Sequence, residues 1–440
     1  MEHREWYRLD NTANLYPSVI NRKNTTLFRI SVHLNQAVHA DRLNRTLQKV
    51  VPRFPYYQVH VRRGAFWYTL EENPRIPNAV IDSKSPCRYM PIKQRGIFPF
   101  RIRAFDRTLA IEISHALTDG TGALRFMKSL LAAYRLVDLP SSSAEYKKLY
   151  SEFQSDTEIL LFDEQASPEE FEDAFLTHYD PTIPAPDQEK KVFHLPGKKL
   201  PVGRYRIITG DMPVQDLKLL AKSYGGSLTE FLVAVYFYSL QHIQEIVMSH
   251  KVRGRWDPLS VMVPVNLRPI LHSSTMRNFF LTLNPMLDTR LGHYELDEIT
   301  QKVHHFMRTQ LDHRHLKQQI SRNVKGALHP LLRISPLWMK NIGLKMIYRD
   351  FGESRFSGSL SNLGRVEFSP ALDEIIEAVE FIPPPSSALG VKCGALSHHG
   401  RLRLTFGSLL QETALERLFF TTIRSLGIPV SLSGNWKGEE

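Results

Sequence analysis

The sequence predicts an α/β (α+β) protein of two lobes, each a mixed sheet with helices. Three observations predict this class. The chain has 440 residues, more than one hydrophobic core usually supports. Strand-like and helix-like segments alternate in both halves. Residues 140–200, rich in Ser, Asp, Glu, Pro and Lys, have the composition of a long connection. We therefore predict an N-terminal lobe, 1–185, with the inter-lobe connection at its end, and a C-terminal lobe, 186–440.

Alternating apolar and polar residues define the strands of the first lobe. "TTLFRISVHLNQAV" predicts a strand with one buried face, and "HADRLNRTLQKVVPRF" predicts a short amphipathic helix that ends near Pro52 and Pro55. "YQVHVRRGAFWYTL" predicts a hairpin that bends at Gly64. A second hairpin is predicted from "PFRIRAF" and "LAIEIS", followed by the helix "GALRFMKSLLAAYRL".

The second lobe shows the same mixture. "GRYRIITGDM" predicts a strand, and "VQDLKLLAKSYGG" predicts a helix that stops at its glycines. Ser227 and Glu230 have the spacing of a capping box at the start of an apolar helix. "ELDEITQKVHHFMRTQLDHRHLKQQI" predicts one long polar helix. The remaining predicted elements are the strands "PLSVMVPVNLRPI", "NFFLTLNPML" and "RFSGSLSNLGRV", a hairpin turning at His399-Gly400, and the helix "ETALERLFFTTIRSL".

Composition narrows the class of protein. No run of about eighteen apolar residues is present, which argues against a membrane-spanning helix. The start, "MEHREWYRLDNTAN", lacks the apolar core of a secretory signal. The two cysteines, Cys87 and Cys393, form no C-x-x-C pair, so we expect a reducing, cytoplasmic compartment without a disulfide framework.

The net charge of +11 favours an anionic partner or serves solubility alone. Nucleic acid is not the predicted partner, because the basic residues are scattered and no zinc-finger or RNA-binding signature is present. A phosphorylated small molecule fits the charge equally well. The segment "LLRISPLWMKNIGLKMIYRDFG" mixes large apolar residues with basic ones (Arg333, Lys340, Lys345, Arg349). We expect core packing there, with contact to lipid or to a greasy acceptor, and hence association with a membrane surface, as the alternative.

The segment 111–122, "IEISHALTDGTG", carries the candidate chemistry. His115 stands where an alternating strand gives way to a helix, and Asp119 stands where a carboxylate can cap that helix. Gly120 and Gly122 permit a tight turn and a close backbone approach. Two interpretations follow from the residues alone: His115 is a general base at the lip of a cleft, or the segment is only a strand end followed by a helix cap.

Other catalytic signatures are missing from the sequence. It contains no G-x-S-x-G elbow, no P-loop and no G-x-G-x-x-G. The histidines of the polar helix lack the i, i+4 spacing of a helical metal pair, so we predict no metal site and a solvated face for them. They are His304, His305, His313 and His315.

"HALTDG" resembles the H-x-x-x-D-G motif of the coenzyme A-dependent acyltransferase superfamily, which includes chloramphenicol acetyltransferase and condensation domains. "VPVNLRP" at 263–269, "SGSLSNLG" at 357–364 and the opening "WYRLDNTANLYPSV" resemble the alcohol acetyltransferase and polyketide-associated acyltransferase branch. The resemblance covers nearly the whole chain. Ser114 replaces the first histidine of the fuller H-H-x-x-x-D-G motif, and the plant D-F-G-W-G motif is missing.

The resemblance implies two chloramphenicol-acetyltransferase-like lobes with an active-site tunnel between them. In the family the histidine matching His115 is the general base, and the aspartate matching Asp119 turns away to pair with an arginine, here Arg268. Gly120 then serves a steric purpose. The other ring nitrogen of His115 needs a partner, for which we expect a backbone carbonyl. Oxyanion and tunnel-lining candidates on the strand of the second lobe are Ser359, Ser361 and Asn362.

The implied activity is transfer of an acetyl or other acyl group from a coenzyme A thioester to an alcohol hydroxyl, without an acyl-enzyme and without a metal. Acyl-CoA (acetyl-CoA) is then the co-substrate, with Lys and Arg side chains on its phosphates. The acceptor is a small-molecule or lipid-like alcohol. Two alternatives stay open: a condensation-like enzyme that takes its acyl group from an acyl carrier protein, and a catalytically idle member of the fold that only binds a ligand.

Overall fold

The computed structural model describes residues 6–10, 12–182, 191–249, 256–328, 334–351 and 353–435. Its strands are β1 Trp6–Arg8, β2 Leu27–Leu34, β3 Val59–Arg63, β4 Tyr68–Glu72, β5 Val80–Ile81, β6 Phe100–Phe105, β7 Thr108–Ser114, β8 Arg206–Pro213, β9 Leu259–Asn266, β10 Phe280–Leu283, β11 Met286–Leu287, β12 Gly358–Arg365, β13 Ile376–Ile382, β14 Val391–His398, β15 Arg401–Ser408 and β16 Ser431–Gly434.

The α-helices alternate with these strands along the chain. They are α1 Tyr16–Val19, α2 Ala40–Val50, α3 Gly120–Leu136, α4 Ala144–Ser155, α5 Ala174–Thr177, α6 Val214–Ser223, α7 Leu228–Ser249, α8 Arg268–Leu271, α9 Leu296–Gln310, α10 His313–Leu328, α11 Leu337–Phe351, α12 Pro370–Asp373 and α13 Ala414–Ser425. This mixture of sheets and helices confirms the predicted fold class.

The first large sheet has the strand order β13-β2-β7-β6-β5. Its central pair, β2 and β7, is antiparallel, with Phe28 opposite Ile113 and Ile30 opposite Ile111. These apolar side chains are fully buried, but the expected single buried face is wrong, because Arg29 and Ser31 on the other face of β2 are buried as well. Helices α2 and α3 contact each other, and the buried side chains of both join the same core as this sheet.

The second large sheet follows the order β10-β9-β12-β14-β15-β8-β16, with β11 also paired to β9. Strand β12 is parallel to both of its neighbours, whereas the other pairs are antiparallel. The apolar helix α7 packs on this sheet and is buried along most of its length. A smaller sheet, β1-β4-β3, completes the fold.

The second half of the chain contributes one strand to the first large sheet. Strand β13 comes from the second half but pairs with β2 of the first, from Ile376 opposite Leu34 to Ile382 opposite Arg29. The sequence analysis missed this strand. The division between residues 185 and 186 stays a prediction.

Several local predictions are confirmed. Ser227 and Glu230 form the capping box, with a hydrogen bond of 2.7 Å from the Ser227 backbone N–H to Oε2 of Glu230 and a reciprocal one of 3.4 Å from the Glu230 N–H to Oγ of Ser227. Strands β14 and β15 turn at His399 and Gly400, both of which have positive φ. Cys87 and Cys393 are free and buried.

Two further predictions are wrong. The expected single polar helix is two helices, α9 and α10, because the chain turns at Leu311 and the Asp312 carboxylate accepts a 2.9 Å hydrogen bond from the N–H of Arg314 to start the second. The expected core packing of 331–352 also fails: helix α11 exposes Trp338 and Ile342. Arg333 and the Arg349 side chain lie outside the described residues.

None of the helices in the described ranges combines the length and the apolar character needed to traverse a bilayer.

Candidate active site

The H-x-x-x-D-G segment is a turn between β7 and α3. His115 directly follows β7, and its backbone N–H donates a 3.2 Å hydrogen bond to the carbonyl of Thr26. The chain then turns, with the N–H of Leu117 2.8 Å from the Ser114 carbonyl. Asp119 caps α3 by accepting a hydrogen bond from the N–H of Gly122 at 3.1 Å. The structure therefore contains the helix cap that the sequence predicts. The surroundings of the imidazole decide whether His115 can also act as a base.

The His115 ring lies among aromatic side chains and remains partly accessible to solvent. Phe28 lies at a centroid distance of 4.6 Å, and Tyr16 stacks on the ring at 5.3 Å with an interplanar angle of 22°. Phe280 of β10 is 6.1 Å away. Three separate elements thus enclose the ring without sealing it from solvent.

Asn278 contacts the imidazole with its side chain. Oδ1 of Asn278 lies 3.4 Å from Nδ1 of His115. The orientation of this amide is fixed, because Nδ2 donates at 2.9 Å to a carboxylate oxygen of Asp10 and at 2.9 Å to the His115 carbonyl. The amide oxygen therefore faces Nδ1, which must carry the ring proton, and Nε2 keeps its lone pair. A side-chain amide therefore contacts Nδ1, and the expected backbone partner is present as well, since the Thr118 backbone also forms a hydrogen bond with the ring.

Burial lowers the pKa of His115 from 6.5 to about 4. The negative charge of Asp119 and the contacts with Asn278 and the Thr118 backbone raise this pKa, whereas the positive charge of Lys392 lowers it further. The imidazole is therefore neutral at neutral pH, the state that a general base requires.

Asp10 supports this arrangement from behind Asn278. Its side chain is fully buried and also accepts a 2.6 Å hydrogen bond from the N–H of Ala13. Burial raises its pKa to about 6, although the guanidinium of Arg277, 3.9 Å away, opposes that shift. The Asp10 carboxyl, the Asn278 amide and the His115 imidazole thus form a chain of contacts that runs outward from the interior.

Asp119 and Arg268 form a buried bidentate ion pair. Nη1 and Nη2 of Arg268 lie 2.9 and 3.0 Å from the two carboxylate oxygens of Asp119. Asp119 also accepts a 2.9 Å hydrogen bond from the N–H of Phe279, next to Asn278. The pair therefore ties the motif turn to the segment that contacts the His115 ring.

The motif glycines permit close packing around this turn. A β-carbon on Gly120 would stand 2.5 Å from Cδ2 of Leu363 in β12. One on Gly122 would stand 2.2 Å from both the Met276 carbonyl oxygen and Oγ1 of Thr118. The expected steric purpose of Gly120 thus concerns packing against the second lobe, and Gly122 is the more tightly enclosed position.

The oxyanion candidates occupy β12. Asn362 donates a 2.9 Å hydrogen bond to Oγ1 of Thr229 and accepts one of 2.9 Å from the N–H of Gly364. Ser359 is buried, and Ser361 is half-buried. Among the described residues, no hydrogen bond joins these three side chains to His115.

The buried charge of Lys392 lowers the pKa of His115. Lys392 of β14 forms an ion pair with Glu353, whose carboxylate also accepts hydrogen bonds from Ser386 and, at 2.7 Å, from Tyr348. The sequence analysis missed Lys392, Asp10 and Asn278. Asp10 lies in the opening segment that carried part of the resemblance, and Asn278 is the first residue of the predicted strand "NFFLTLNPML", but neither residue belongs to a motif with fixed spacing.

One histidine of the predicted polar helix is paired with a buried acid. Nδ1 of His304 lies 3.0 Å from a carboxylate oxygen of Glu230. Elsewhere, Asp373, His398 and His399 place three donor atoms within 4.8 Å of one another. The His398 and His399 rings are stacked, with centroids 3.9 Å apart and an interplanar angle of 23°.

A cavity of about 610 Å³ opens between β2 and β13 on one side and β8 and β16 on the other. His115 is not part of its lining. Acids (Asp82, Asp106, Glu377, Glu380) balance the cations on its wall (Arg29, Lys84, Arg107, Arg403). This balance gives phosphate groups no particular attraction, so the phosphate-binding cations stay unassigned.

The structure is similar to solved structures over nearly its whole length. F. graminearum TRI101, crystallised with coenzyme A and T-2 mycotoxin, matches with a TM-score of 0.59 and 12% identity over 97% of this chain and 99% of that chain. The Fusarium sporotrichioides TRI3 trichothecene 15-O-acetyltransferase matches with a TM-score of 0.59 and 10% identity over 96% and 94%. The condensation domain of the monacolin K polyketide synthase MokA matches with a TM-score of 0.57 and 10% identity over 96% of each chain.

The chain has the fold of the coenzyme A-dependent acyltransferases and condensation domains. No family model matches the sequence, and no curated protein matches it either. At these identities the likeness concerns the fold alone, and the branch within the fold stays a prediction.

Proposed function

We propose that the protein transfers an acyl group from a coenzyme A thioester to the hydroxyl of an alcohol. One observation carries the proposal: Nδ1 of His115 faces Oδ1 of Asn278 at 3.4 Å, which assigns the ring proton to Nδ1, and burial lowers the pKa of the imidazole to about 4. The fold adds support, since similar structures include one crystallised with coenzyme A and one named as an O-acetyltransferase.

In the proposed reaction, Nε2 of His115 takes the hydroxyl proton of the acceptor while the acceptor oxygen attacks the thioester carbonyl carbon. The resulting tetrahedral intermediate carries its negative charge on the former carbonyl oxygen. When it collapses, the new ester C=O forms and the C–S bond breaks. The departing coenzyme A thiolate recovers the proton from the imidazolium, so the side chain returns to its starting state without an acyl-enzyme.

The surroundings of His115 suit a transient imidazolium. Burial opposes the positive charge, which keeps the resting ring neutral, but Asp119 and the Asn278 contact favour it. Asn278 in turn contacts the buried Asp10 carboxyl, which fixes the amide orientation. The site therefore holds a weakly basic ring in one tautomer and one orientation.

The developing oxyanion needs a hydrogen-bond donor. We retain Ser359, Ser361 and Asn362 as candidates, because β12 reaches the motif turn through Leu363 and Gly120. Ser361 is favoured among them, since Asn362 already donates to Thr229 and Ser359 is buried. Coenzyme A phosphates would be bound by Lys and Arg side chains at one mouth of the site.

An acyl carrier protein is the alternative donor. The similarity to a polyketide synthase condensation domain supports it, because the same site would take its thioester from a tethered carrier. The chemistry at His115 would be unchanged. An idle binding protein is the remaining alternative, against which the retained His115, Asp119 and Arg268 arrangement argues.

The decisive experiment measures thiol release. The purified protein is incubated with acetyl-CoA or longer acyl-CoA and a panel of alcohols, and in a parallel arm with an acyl-loaded carrier protein. We expect alcohol-dependent release of free coenzyme A, reduced roughly 10²- to 10⁴-fold in His115→Ala at an unchanged melting temperature. Turnover only with the carrier would favour the alternative donor, and full turnover by His115→Ala would exclude the mechanism.

A further inference from the structure

Helix α11 has its apolar side turned toward solvent. Four large side chains are 48–58% exposed: Trp338, Met339, Ile342 and Met346. With 3.6 residues per turn, they fall within an arc of about 100° on one face of the helix. Exposed single apolar residues are common, but a continuous stripe of this kind marks a contact surface.

Polar side chains occupy the opposite, inward side of α11. Nζ of Lys340 donates at 2.9 Å to the carbonyl of Phe66 and lies 3.5 Å from the centre of the Trp67 ring. Asn341 accepts a 2.7 Å hydrogen bond from Ser18 and donates one of 3.2 Å to Tyr68. These contacts fix the rotation of the helix about its axis, so the apolar stripe cannot turn inward without breaking them.

The exposed surface continues beyond the helix. Ile334 is 70% exposed just before α11, and Phe66, at the tip of the β3–β4 hairpin, is 49% exposed. The N–H of Leu337 donates a 2.8 Å hydrogen bond to the Ala65 carbonyl, which holds the hairpin tip beside the helix start. We call the six exposed side chains the apolar face: Phe66, Ile334, Trp338, Met339, Ile342 and Met346.

Cations border the apolar face. Lys345 lies on the edge of the stripe, and the pKa of Lys93 is lowered by partial burial and by the nearby charges of Lys345 and Arg63. Arg22 and Lys23 are exposed just after α1, where Asn24 donates a 3.1 Å hydrogen bond to the Tyr348 hydroxyl on α11. Lys345 is thus next to the apolar residues on the helix, and further cations lie near Lys345 and next to a residue that contacts α11, on a chain whose net charge is +11.

We propose that the apolar face docks on an anionic lipid membrane. Trp, Ile and Met side chains would enter the boundary between headgroups and acyl chains, while the bordering Lys and Arg side chains contact anionic headgroups. A second copy of this chain is a poorer occupant, because a symmetric dimer through this face would bring two positively charged borders together.

The apolar face lies on the same side of the molecule as the entrance that we propose for a lipid-like acceptor. Helix α11 contacts α1, and Tyr16 at the start of α1 stacks on the His115 ring. A membrane bound at α11 would thus lie on the α1 side of the candidate active site, from which a lipid-like alcohol could be taken. This use, unlike the docking itself, rests on the proposed function.

The docking is tested by co-sedimentation with vesicles of phosphatidylcholine mixed with phosphatidylserine, and of phosphatidylcholine alone. We expect binding to the anionic vesicles, and a loss of at least about tenfold in affinity in the double variant Trp338→Ser/Ile342→Ser. The matched control is Leu219→Ser/Ile246→Ser, which removes two side chains of 69% and 58% exposure on other helices and should bind like the unchanged protein.

The charged border is tested by Lys93→Gln/Lys345→Gln, which should weaken binding to the anionic vesicles several-fold and leave the residual binding less sensitive to salt. Absence of vesicle binding, or equal binding by the Trp338→Ser/Ile342→Ser variant, overturns the proposal. Self-association of the unchanged protein in sedimentation velocity that this variant abolishes would also overturn it, in favour of a dimer. Because no turnover is measured, failure here leaves the acyl transfer untouched.

Discussion

The guanidinium of Arg268 holds both carboxylate oxygens of Asp119, at 2.9 and 3.0 Å, although Asp119 follows a strand of the first large sheet and Arg268 follows a strand of the second. Both side chains are more than nine-tenths buried. The pair therefore connects the motif turn to the second large sheet at the place where His115 and Asn278 meet.

Removing one partner of this pair should damage folding and activity together. Asp119→Ala leaves the Arg268 guanidinium buried without its counter-charge and removes the cap of α3. We expect a loss of about 3–5 kcal/mol in the free energy of unfolding. Urea unfolding followed by circular dichroism measures it.

The matched control is Asp138→Ala, which removes the partner of Arg45 from an exposed ion pair of 2.8 Å. That change should cost less than about 1 kcal/mol. Equal losses for the two variants would show that burial of the Asp119–Arg268 pair has no energetic consequence.

Replacing Asn278 should affect catalysis more than binding. In Asn278→Ala, Nδ1 of His115 loses the acceptor at 3.4 Å, so both ring tautomers become populated and Nε2 is no longer held as the base. We expect kcat to fall roughly tenfold to a hundredfold, a part of the general-base contribution, with KM little changed.

Asp10→Asn is the companion variant, because it keeps an acceptor oxygen for the Asn278 amide and should retain most of the activity. A lower melting temperature with unchanged kcat in Asn278→Ala would assign Asn278 a purely structural role.

The strands near His115 can be predicted from the sequence alone. The alternation of Phe28, Ile30 and Val32 with polar residues specifies β2, and a positive-φ turn at His399-Gly400 suits the β14–β15 hairpin. Strand β13 was missed because its buried residues do not alternate: a register shift follows Ile376, and Ala378–Val379 and Phe381–Ile382 are adjacent buried pairs.

Part of the candidate site can also be predicted from local sequence, and part depends on the fold. The strand end and the helix cap around His115 follow from local pattern, whereas the Asp119–Arg268 pair was predicted only through a family resemblance. Asp10 and Asn278 come from segments far apart in sequence, and only the fold brings them together. The core packing expected for helix α11 was wrong because its large apolar residues face solvent. Lys340, Asn341 and Tyr348 lie on the other side of the helix and form hydrogen bonds with neighbouring groups.

The pH dependence of kcat/KM should report the low pKa of His115. The unfolded imidazole takes up a proton below about 6.5, the folded one only near 4. We therefore expect kcat/KM to show no loss from His115 protonation near pH 6.5 and to fall as the pH drops through about 4. Because the unfolded state binds the proton first, this residue also weakens the fold as the pH falls from 6.5 to 4.

Lys392 provides the test of that assignment. Its positive charge lowers the pKa of His115, so Lys392→Met/Glu353→Gln, which removes both charges of the buried pair, should move the acid limb of kcat/KM. The limb should shift to higher pH, measured only where circular dichroism shows folded protein. An unmoved limb would mean that another group controls it.

The tight packing at Gly122 gives the sharpest steric prediction. A β-carbon there would stand 2.2 Å from the Met276 carbonyl oxygen, and backbone at that position cannot move without disturbing the Asp119–Arg268 pair beside it. Gly122→Ala should therefore destabilise the protein by several kcal/mol (about 2–4) and reduce activity. Gly120→Ala should cost less, because the atom it meets is the flexible end of Leu363.

Gly343→Ala is the matched control, since Gly343 lies within α11 and a β-carbon there meets nothing within 4 Å. Alanine at such a helical position should stabilise the protein by about 0.5–1 kcal/mol. The melting temperatures of the three glycine variants rank their stabilities, and we expect Gly122→Ala to be the lowest and Gly343→Ala the highest. If Gly122→Ala melts as high as Gly343→Ala, the turn that carries His115 is looser than these contacts require, and the neutral base would not be held in a single orientation.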